Sequence, residues 1–351
     1  MRKLAELWRA MTSLPDAGPI TVLPDYFVDR LIRINDVDKF ASSLKQKAQS
    51  GGGSIRNLNQ IEVKGGNAAN LAYALGRLGA SVNLFAISES PASSLLLSSF
   101  KDLKNVGVDI LKGSAGLTVA LEFAKKKKSL NIMLSDVGSL SSFDGSSINR
   151  KQWTRIESSK LVAVLNWSSN EKGTDLCERI FSRAKKKGAK TFLDPADLTG
   201  LEKRIRGVRK KLFDPGLLDV LSVNENETRI IARELSNYLL PLKYSANDLE
   251  KAARAVSDSC GLTVDAHTDD CSATCTDGES KSVRTMPLNQ LTATGAGDVW
   301  NASDISCHLL NREQEERLNF ANCAAGLYVS RENANAPTMS EVFSFMRLHE
   351  T

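Results

Sequence analysis

The sequence predicts an α/β fold, a mainly parallel sheet covered by helices on both faces, with a small β lid. Three observations predict it. From about residue 160, strand-length apolar runs alternate with amphipathic helical ones. Two glycine-bearing turns, at 65–66 and 295–297, each lead straight into a helical pattern. A hairpin pattern at 117–134 breaks the alternation, and hairpins set into such chains often form lids.

Taken in order, residues 1–17 read as an extra N-terminal helix, with Leu4, Leu7, Trp8 and Met11 at helical spacing and Pro15 and Gly18 ending it. Ile20 to Leu23 is a short strand, and Asp25 and Asp29 follow near its C-terminal end. In open α/β sheets that end is where ligands bind, although both acids also fit an ordinary loop and strand edge. Residues 46–60 are polar and glycine-rich and read as a loop without chemistry. Gly65 and Gly66 remove side chains where backbone would approach a ligand, and Asn70 offers donor and acceptor to hydroxyls. A helix with Ala68, Leu71, Ala72, Leu75 and Leu78 on one stripe follows, stopped by Gly79, and 81–87 is a strand.

The hairpin strands 117–123 and 130–134 flank four lysines at 125–128, a charged tip. A Ser/Gly-rich loop covers 135–148. Strands then fall at 160–166, 190–194, 218–223 and 261–266, with helices at 171–187, from 224 to about 236, and 246–260. A polar hairpin turns at Asp277-Gly278, and two final helices cover about 312–331 and 339–349.

The chemistry centres on Thr294-Gly295-Ala296-Gly297-Asp298. Small residues before a helix let backbone N–H groups converge on an anion, and the unpaired first-turn amides add partial positive charge. An acid beside a bound phosphate would repel it unless it takes a proton from an attacking hydroxyl. The stretch therefore reads as an anion hole with a base beside it, the equipment of phosphoryl transfer. It also fits a tight turn with Asp298 capping the helix. It is neither a Walker A loop nor a dinucleotide fingerprint, since no Gly-Lys-Ser/Thr follows and Trp300 stands where the third glycine would be. Asn224 and Glu227 lie where a strand ends and a helix begins, as a cap or as a holder of Mg²⁺.

Composition narrows the classes. The chain has 351 residues, 42% hydrophobic and 25% charged, which suits one large soluble domain. A net charge of +5 over this length gives no footprint for nucleic acid, and no apolar run is long enough to span a membrane. Six cysteines without a CxxC pair and only three histidines argue against structural zinc. With no signal-peptide core at the N-terminus, the thiols read as reduced and the protein as cytoplasmic. Cys271 and Cys275, four apart in a strand, read as packing residues.

In this order the pieces resemble the ribokinase-like carbohydrate kinases, also called the phosphofructokinase-B family, over about residues 20–345. The family's C-terminal signature, usually Asp-Thr-x-Gly-Ala-Gly-Asp, is similar to Thr292-Ala293-Thr294-Gly295-Ala296-Gly297-Asp298, with Asn301 also matching. Its glycine signature resembles Gly65-Gly66-Asn67-Ala68-Ala69-Asn70, and its Asn-x-x-Glu motif resembles Asn224 to Glu227. The resemblance implies a three-layer fold with a lid from about 25–64 and 117–134, on a kinase domain of 20–351 behind the helical extension 1–19. It implies transfer of the terminal phosphoryl group of a nucleotide, ATP foremost, to a hydroxyl of a small sugar, polyol or nucleoside, with Mg²⁺.

The implied roles follow residue by residue. Asp298 is the base, and Gly295, Ala296 and Gly297 supply the anion hole. Asp29, Gly65, Gly66, Asn70 and Asn166 line the acceptor site. Asn224, His267, Thr294 and Asn301 serve the nucleotide, and Glu227 serves Mg²⁺, directly or through water. Asp194 joins Asn166 at the sheet edge as a ligand of substrate or phosphates. A homodimer through the lid is a further expectation. Two departures stand out. Thr292-Ala293 replaces an Asp-Thr pair whose acid helps bind a monovalent cation, so cation activation is in question. The run Asp265-Ala266-His267-Thr268 is atypical, and His267 fits either a base contact or packing. The competing class is a non-catalytic ligand-binding relative, for which a retained Asp298 has no use.

Overall fold

Strand β1, Ile20–Leu23, is buried along its whole length. It follows helix α1, Arg2–Met11, whose Leu7 and Met11 are buried. Trp8 from α1 packs edge-on against Phe343 with ring centroids 4.7 Å apart. The computed structural model describes residues 2–125, 128–292, 294–331 and 335–349. Lys126 and Lys127 of the lysine run and Ala293 of the altered Thr-Ala pair lie outside them.

The chain then runs through β2 (Phe27–Ile34), α2 (Val37–Gln49), β3 (Asn59–Gly65), α3 (Asn67–Leu78), β4 (Val82–Ser88), α4 (Ala92–Phe100) and β5 (Val106–Lys112). The hairpin is β6 (Gly116–Lys125) and β7 (Lys128–Asp136). After it come α5 (Arg150–Glu157), β8 (Leu161–Leu165), α6 (Gly173–Lys186), β9 (Lys190–Asp194), α7 (Glu202–Val208), β10 (Val220–Asn224), α8 (Glu225–Ser236) and α9 (Ala246–Cys260). The last part is β11 (Thr263–His267), β12 (Cys271–Thr276), β13 (Glu279–Arg284), α10 (Ala296–Leu309), α11 (Gln314–Val329) and α12 (Met339–His349).

Nine strands form one sheet in the order β13-β12-β11-β10-β9-β8-β1-β4-β5. All neighbours from β5 to β11 are parallel, and β12 and β13 extend the edge antiparallel. The chain fills the sheet outward from β1 through β4 and β5, then returns to β8 on the other side. The strand order therefore reverses at β1, and the crevice above the C-terminal ends of β1 and β8 is where such sheets bind ligands. Both faces are buried, and successive residues feed opposite cores. Val162 and Val164 of β8 enter one apolar cluster, while Leu161, Ala163 and Leu165 enter the other.

A second sheet, in the order β3-β2-β6-β7, stands beside the first. Its register places Asp29 opposite Val63 on one side and Thr118 on the other. Here the structure departs from the reading of 46–60 as a loop. Helix α2 continues to Gln49, started by the Asp36 carboxylate accepting from the Lys39 amide at 2.9 Å. No residue of α2 is buried, and Val37 and Leu44 of its helical apolar spacing at 37, 40, 41 and 44 stay exposed. Cys271 and Cys275 pack in the core beside β11, and all six cysteines are free thiols. Among the described residues no helix is long and apolar enough to cross a membrane.

Candidate active site

The loop after β1 turns Asp25 into the N-terminus of α3. Its carboxylate accepts from the amides of Asn67 at 2.7 Å and Ala68 at 3.0 Å, so the acid caps the helix and meets its positive end. Gly66 stands at the cap with φ +91°. Four more strands of the main sheet deliver side chains to the same edge. Asn166 follows β8 in a left-handed conformation and reaches Asp25 Oδ2 with its amide nitrogen at 3.4 Å. Asp194 ends β9, Asn224 ends β10 and His267 ends β11.

Asp29 enters from the second sheet. It is 7% exposed, and burial raises its pKa to about 6, against a lowering hydrogen bond from Thr118. Gly65 explains how it fits, since a Cβ built there would overlap the Asp29 carboxyl group. We therefore expect Gly65→Ala to displace Asp29 and cost about 1–3 kcal/mol of stability, as overpacking does. A fall in melting temperature with a retained circular dichroism spectrum would show it. An unchanged melting temperature would mean that the carboxylate moves aside freely.

The glycine turn at the other end of the chain meets this edge from above. Gly295 has φ +87° and begins α10, and a Cβ there would lie 2.8 Å from the Tyr328 hydroxyl. That hydroxyl donates to the Thr294 carbonyl oxygen at 2.7 Å, pinning the turn. Ala296, Gly297 and Asp298 form the first turn of α10, whose amides carry the partial positive charge of a helix N-terminus. Asp298 is 7% exposed in that turn. Burial pushes its carboxyl well above the usual range, the nearby Asp194 charge adds to this, and a hydrogen bond from Asn70 opposes it. Helix α10 packs against α3, which brings Asn70 to Asp298.

Helix α10 does not present one apolar stripe to the core. Instead every residue from Asp298 to His308 is buried. Its polar side meets a buried charged group, in which the Asp304 carboxylate has no hydrogen-bond partner and lies 3.3 Å from His308 and 3.5 Å from Arg317. Asp265 of β11 accepts from Arg317 of α11 at 2.7 Å and pairs with His308 of α10 at 2.9 Å. Arg317 also donates to Thr274 of β12 at 3.0 Å. This buried charged group ties α10 and α11 to the sheet. Nothing in local sequence pattern marks it, because its members come from four elements.

A cavity of about 990 Å³ opens beyond Ala296 and Gly297, between β10, β11 and α11. His267 and Trp300 form part of its wall and stack on each other at 4.8 Å between ring centroids. Burial lowers the His267 pKa to about 4, so the ring is neutral at physiological pH. Asn224 also lines the cavity and forms a reciprocal cap with Glu227, which is buried. The Asn224 amide and side-chain nitrogens donate to Glu227 at 2.8 and 2.7 Å, and Asn224 Oδ1 accepts from the Glu227 amide at 3.0 Å.

The structure thus gathers Asp29, Gly65, Gly66, Asn70, Asn166 and Asp298 at one mouth. It sets Asn224, Glu227 and His267 on the far side of the Gly295–Gly297 turn. Asn301 is elsewhere. It is fully buried beneath the site, with its amide nitrogen on Asp194 at 2.8 Å and its oxygen accepting from Ser222 at 2.6 Å, so it braces Asp194 rather than reaching the cavity. Asp25 is the opposite case, an acid at a strand end whose part as the α3 cap was not legible from one chain position.

Comparison with known proteins gives the family and the fold. The family model of pfkB family carbohydrate kinases matches residues 34–341. Ribokinase of Haemophilus influenzae is 23% identical over 305 residues, covering 84% of this chain and 91% of that protein. Two solved structures share the fold. Arabidopsis thaliana ribokinase, complexed with ribose and ATP, has a TM-score of 0.70 at 18% identity and covers 94% of this chain and 99% of its own. Adenosine kinase of Sinorhizobium meliloti has a TM-score of 0.71 at 16% identity and covers 94% of this chain and 98% of its own. The nine-stranded sheet with its smaller companion is the ribokinase-like fold, and the chain belongs to the pfkB family of carbohydrate kinases.

Proposed function

We propose that the protein transfers the terminal phosphoryl group of ATP to a hydroxyl of a small sugar, polyol or nucleoside. The observation that carries this reading is Asp298, buried in the first turn of α10 directly behind the Gly295–Gly297 amides and facing Asn70. A base and an anion-binding helix end then address one point from adjacent residues. The acceptor hydroxyl gives its proton to Asp298, its oxygen forms the new P–O bond, and the bond to the leaving nucleoside diphosphate breaks. The Gly295, Ala296 and Gly297 amides hold the charge on the transferring group. Asp29, Asn70 and Asn166 bind the acceptor's hydroxyls, and the cavity beyond Gly297 takes the nucleotide, with the His267–Trp300 stack as wall. The relatives' bound ribose and ATP, and the adenosine of another's name, support these substrate classes. The second sheet, with Asp29 on its site-facing side, closes over the acceptor and excludes water.

The donor set also fits Mg²⁺. Glu227 is buried and its carboxyl is pushed well up, first by burial and then by the Asp194 charge, so the site has negative charge for a cation to balance. Both Glu227 oxygens already accept from Asn224, which leaves it to hold the ion through water. When bound, Mg²⁺ supplies counter-charge to the phosphates. Glu227→Gln is expected to raise the Mg²⁺ concentration for half-maximal rate about tenfold or more, in the range of outer-shell substitutions. An unchanged Mg²⁺ requirement would leave Glu227 as a helix cap alone.

The activity is tested with a panel of pentoses, hexoses, polyols and nucleosides, with ATP and alternative nucleotides as donors and with and without Mg²⁺. Acceptor-dependent nucleotide consumption supports the proposal, and none across the panel overturns it. A second copy of this chain is the partner we propose for the second sheet. Leu117, Ile132 and Leu134 share one face by register and remain exposed. Sedimentation would show a dimer that Leu134→Lys dissociates, and a monomer at all concentrations would refute it.

A further inference from the structure

Lys64, the last residue but one of β3, has no counterpart among the roles so far assigned, yet it points into the site. Its Nζ donates to Asn70 Oδ1 at 2.9 Å and lies 4.4 Å from the Tyr73 ring centroid. An asparagine amide has an oxygen that accepts and a nitrogen that donates, and its partners decide which way it points. A lysine ammonium can only donate, so it turns the Asn70 oxygen toward itself. The nitrogen is then left for Asp298, an acceptor when ionised. The site of Gly295 agrees, since a Cβ there would lie 3.8 Å from Asn70 Nδ2, placing that nitrogen at the start of α10.

We propose that Lys64 is a positioning residue for the base, acting through Asn70 to keep an amide N–H aimed at the Asp298 carboxylate. The proposal rests on the reading of Asp298 as the base. Without Lys64 the amide is free to reverse and set its oxygen against the carboxylate, an arrangement that only the protonated acid satisfies. The other charged or titratable groups facing Asp298 are Asp25 in the loop after β1, Asp194 at the end of β9 and Tyr328 on α11. Both acids repel its negative form, and among the described residues Lys64 attracts it. Lys64 is itself lowered to about 8 by burial, against the charges of Asp298 and Asp29, so the ammonium is the main form at neutral pH.

The test titrates Asp298 in the full chain carrying ¹³C-labelled aspartate carboxyls, with its signal assigned by loss in Asp298→Asn. Lys64→Met is expected to raise the Asp298 midpoint by about one pH unit, an ordinary size for a lost neighbouring charge and hydrogen bond. Lys64→Arg should restore most of the difference. Asn70→Ala alone should also raise the midpoint, and Lys64→Met added to it should raise it by clearly less than Lys64→Met does in the wild type, because part of the lysine's effect runs through Asn70. An unmoved midpoint in Lys64→Met overturns the proposal. If that variant does not fold, an unmoved midpoint in Asn70→Ala does so. Fully additive shifts overturn the relay through Asn70. The titration needs no substrate, so failure of the acceptor panel would refute the kinase reading separately.

Discussion

Asp298→Asn is expected to lower turnover by about 10²- to 10⁴-fold, the span of general acid–base catalysis. The fold and nucleotide affinity should be retained. Asparagine fills the same volume, and the amides of the first turn of α10 do not depend on the carboxylate. Stability gives an independent check on the same residue. Burial and the Asp194 and Asp25 charges raise the Asp298 pKa in the folded protein above its unfolded value. For an acid shifted upward, folding favours the protonated form, so stability falls as pH rises from the unfolded value through the folded one. The neutral amide escapes that loss. The variant should therefore melt at or above the wild type at pH 8, and the difference should shrink as the pH is lowered toward 4. An inactive variant that is also less stable at pH 8 would assign Asp298 to the fold. Near-normal turnover would remove it from the chemistry.

The sequence made legible what repeats locally. The helix 246–260 was read with the bounds of α9, Ala246–Cys260, because its stripe of Leu249, Ala252, Ala253 and Val256 faces the core. Helix α2 buries none of its residues although Val37, Phe40, Ala41 and Leu44 have helical spacing, so spacing alone does not say whether a face is covered. The glycine turns were visible, but what each excludes was not, since the Asp29 carboxyl and the Tyr328 hydroxyl come from distant parts of the chain. The same limit hid three site features. Asp25 caps a helix 42 residues away, Asn301 spends both ends of its amide beneath the floor, and Lys64 is one lysine among many until its contact with Asn70 is seen. Spacing in sequence reports the face of an element. It cannot report which buried partner meets that face.

Asp29→Ala is expected to raise the acceptor KM by about 10²- to 10⁴-fold and leave nucleotide affinity within about twofold. The estimate comes from two hydrogen bonds to a charged group at about 1.5–3 kcal/mol each, with a factor of ten for every 1.4 kcal/mol. A carboxylate accepts two hydroxyl hydrogen bonds, which suits a vicinal diol. It can do so here because Gly65 leaves the space and Thr118 holds one of its oxygens. Its elevated pKa of about 6 gives the effect a pH signature. The ionised form is the stronger acceptor, so wild-type KM should fall as pH rises through about 6 and level off above it. In Asp29→Ala that part of the profile should be flat. The nucleotide cavity lies beyond Gly297, on the other side of the Gly295–Gly297 turn from Asp29, which is why the two affinities should separate. Calorimetry with nucleotide alone, and steady-state kinetics with the acceptor found in the panel, measure them independently. Equal loss of both would mean that Asp29 holds the second sheet in place instead of gripping the acceptor.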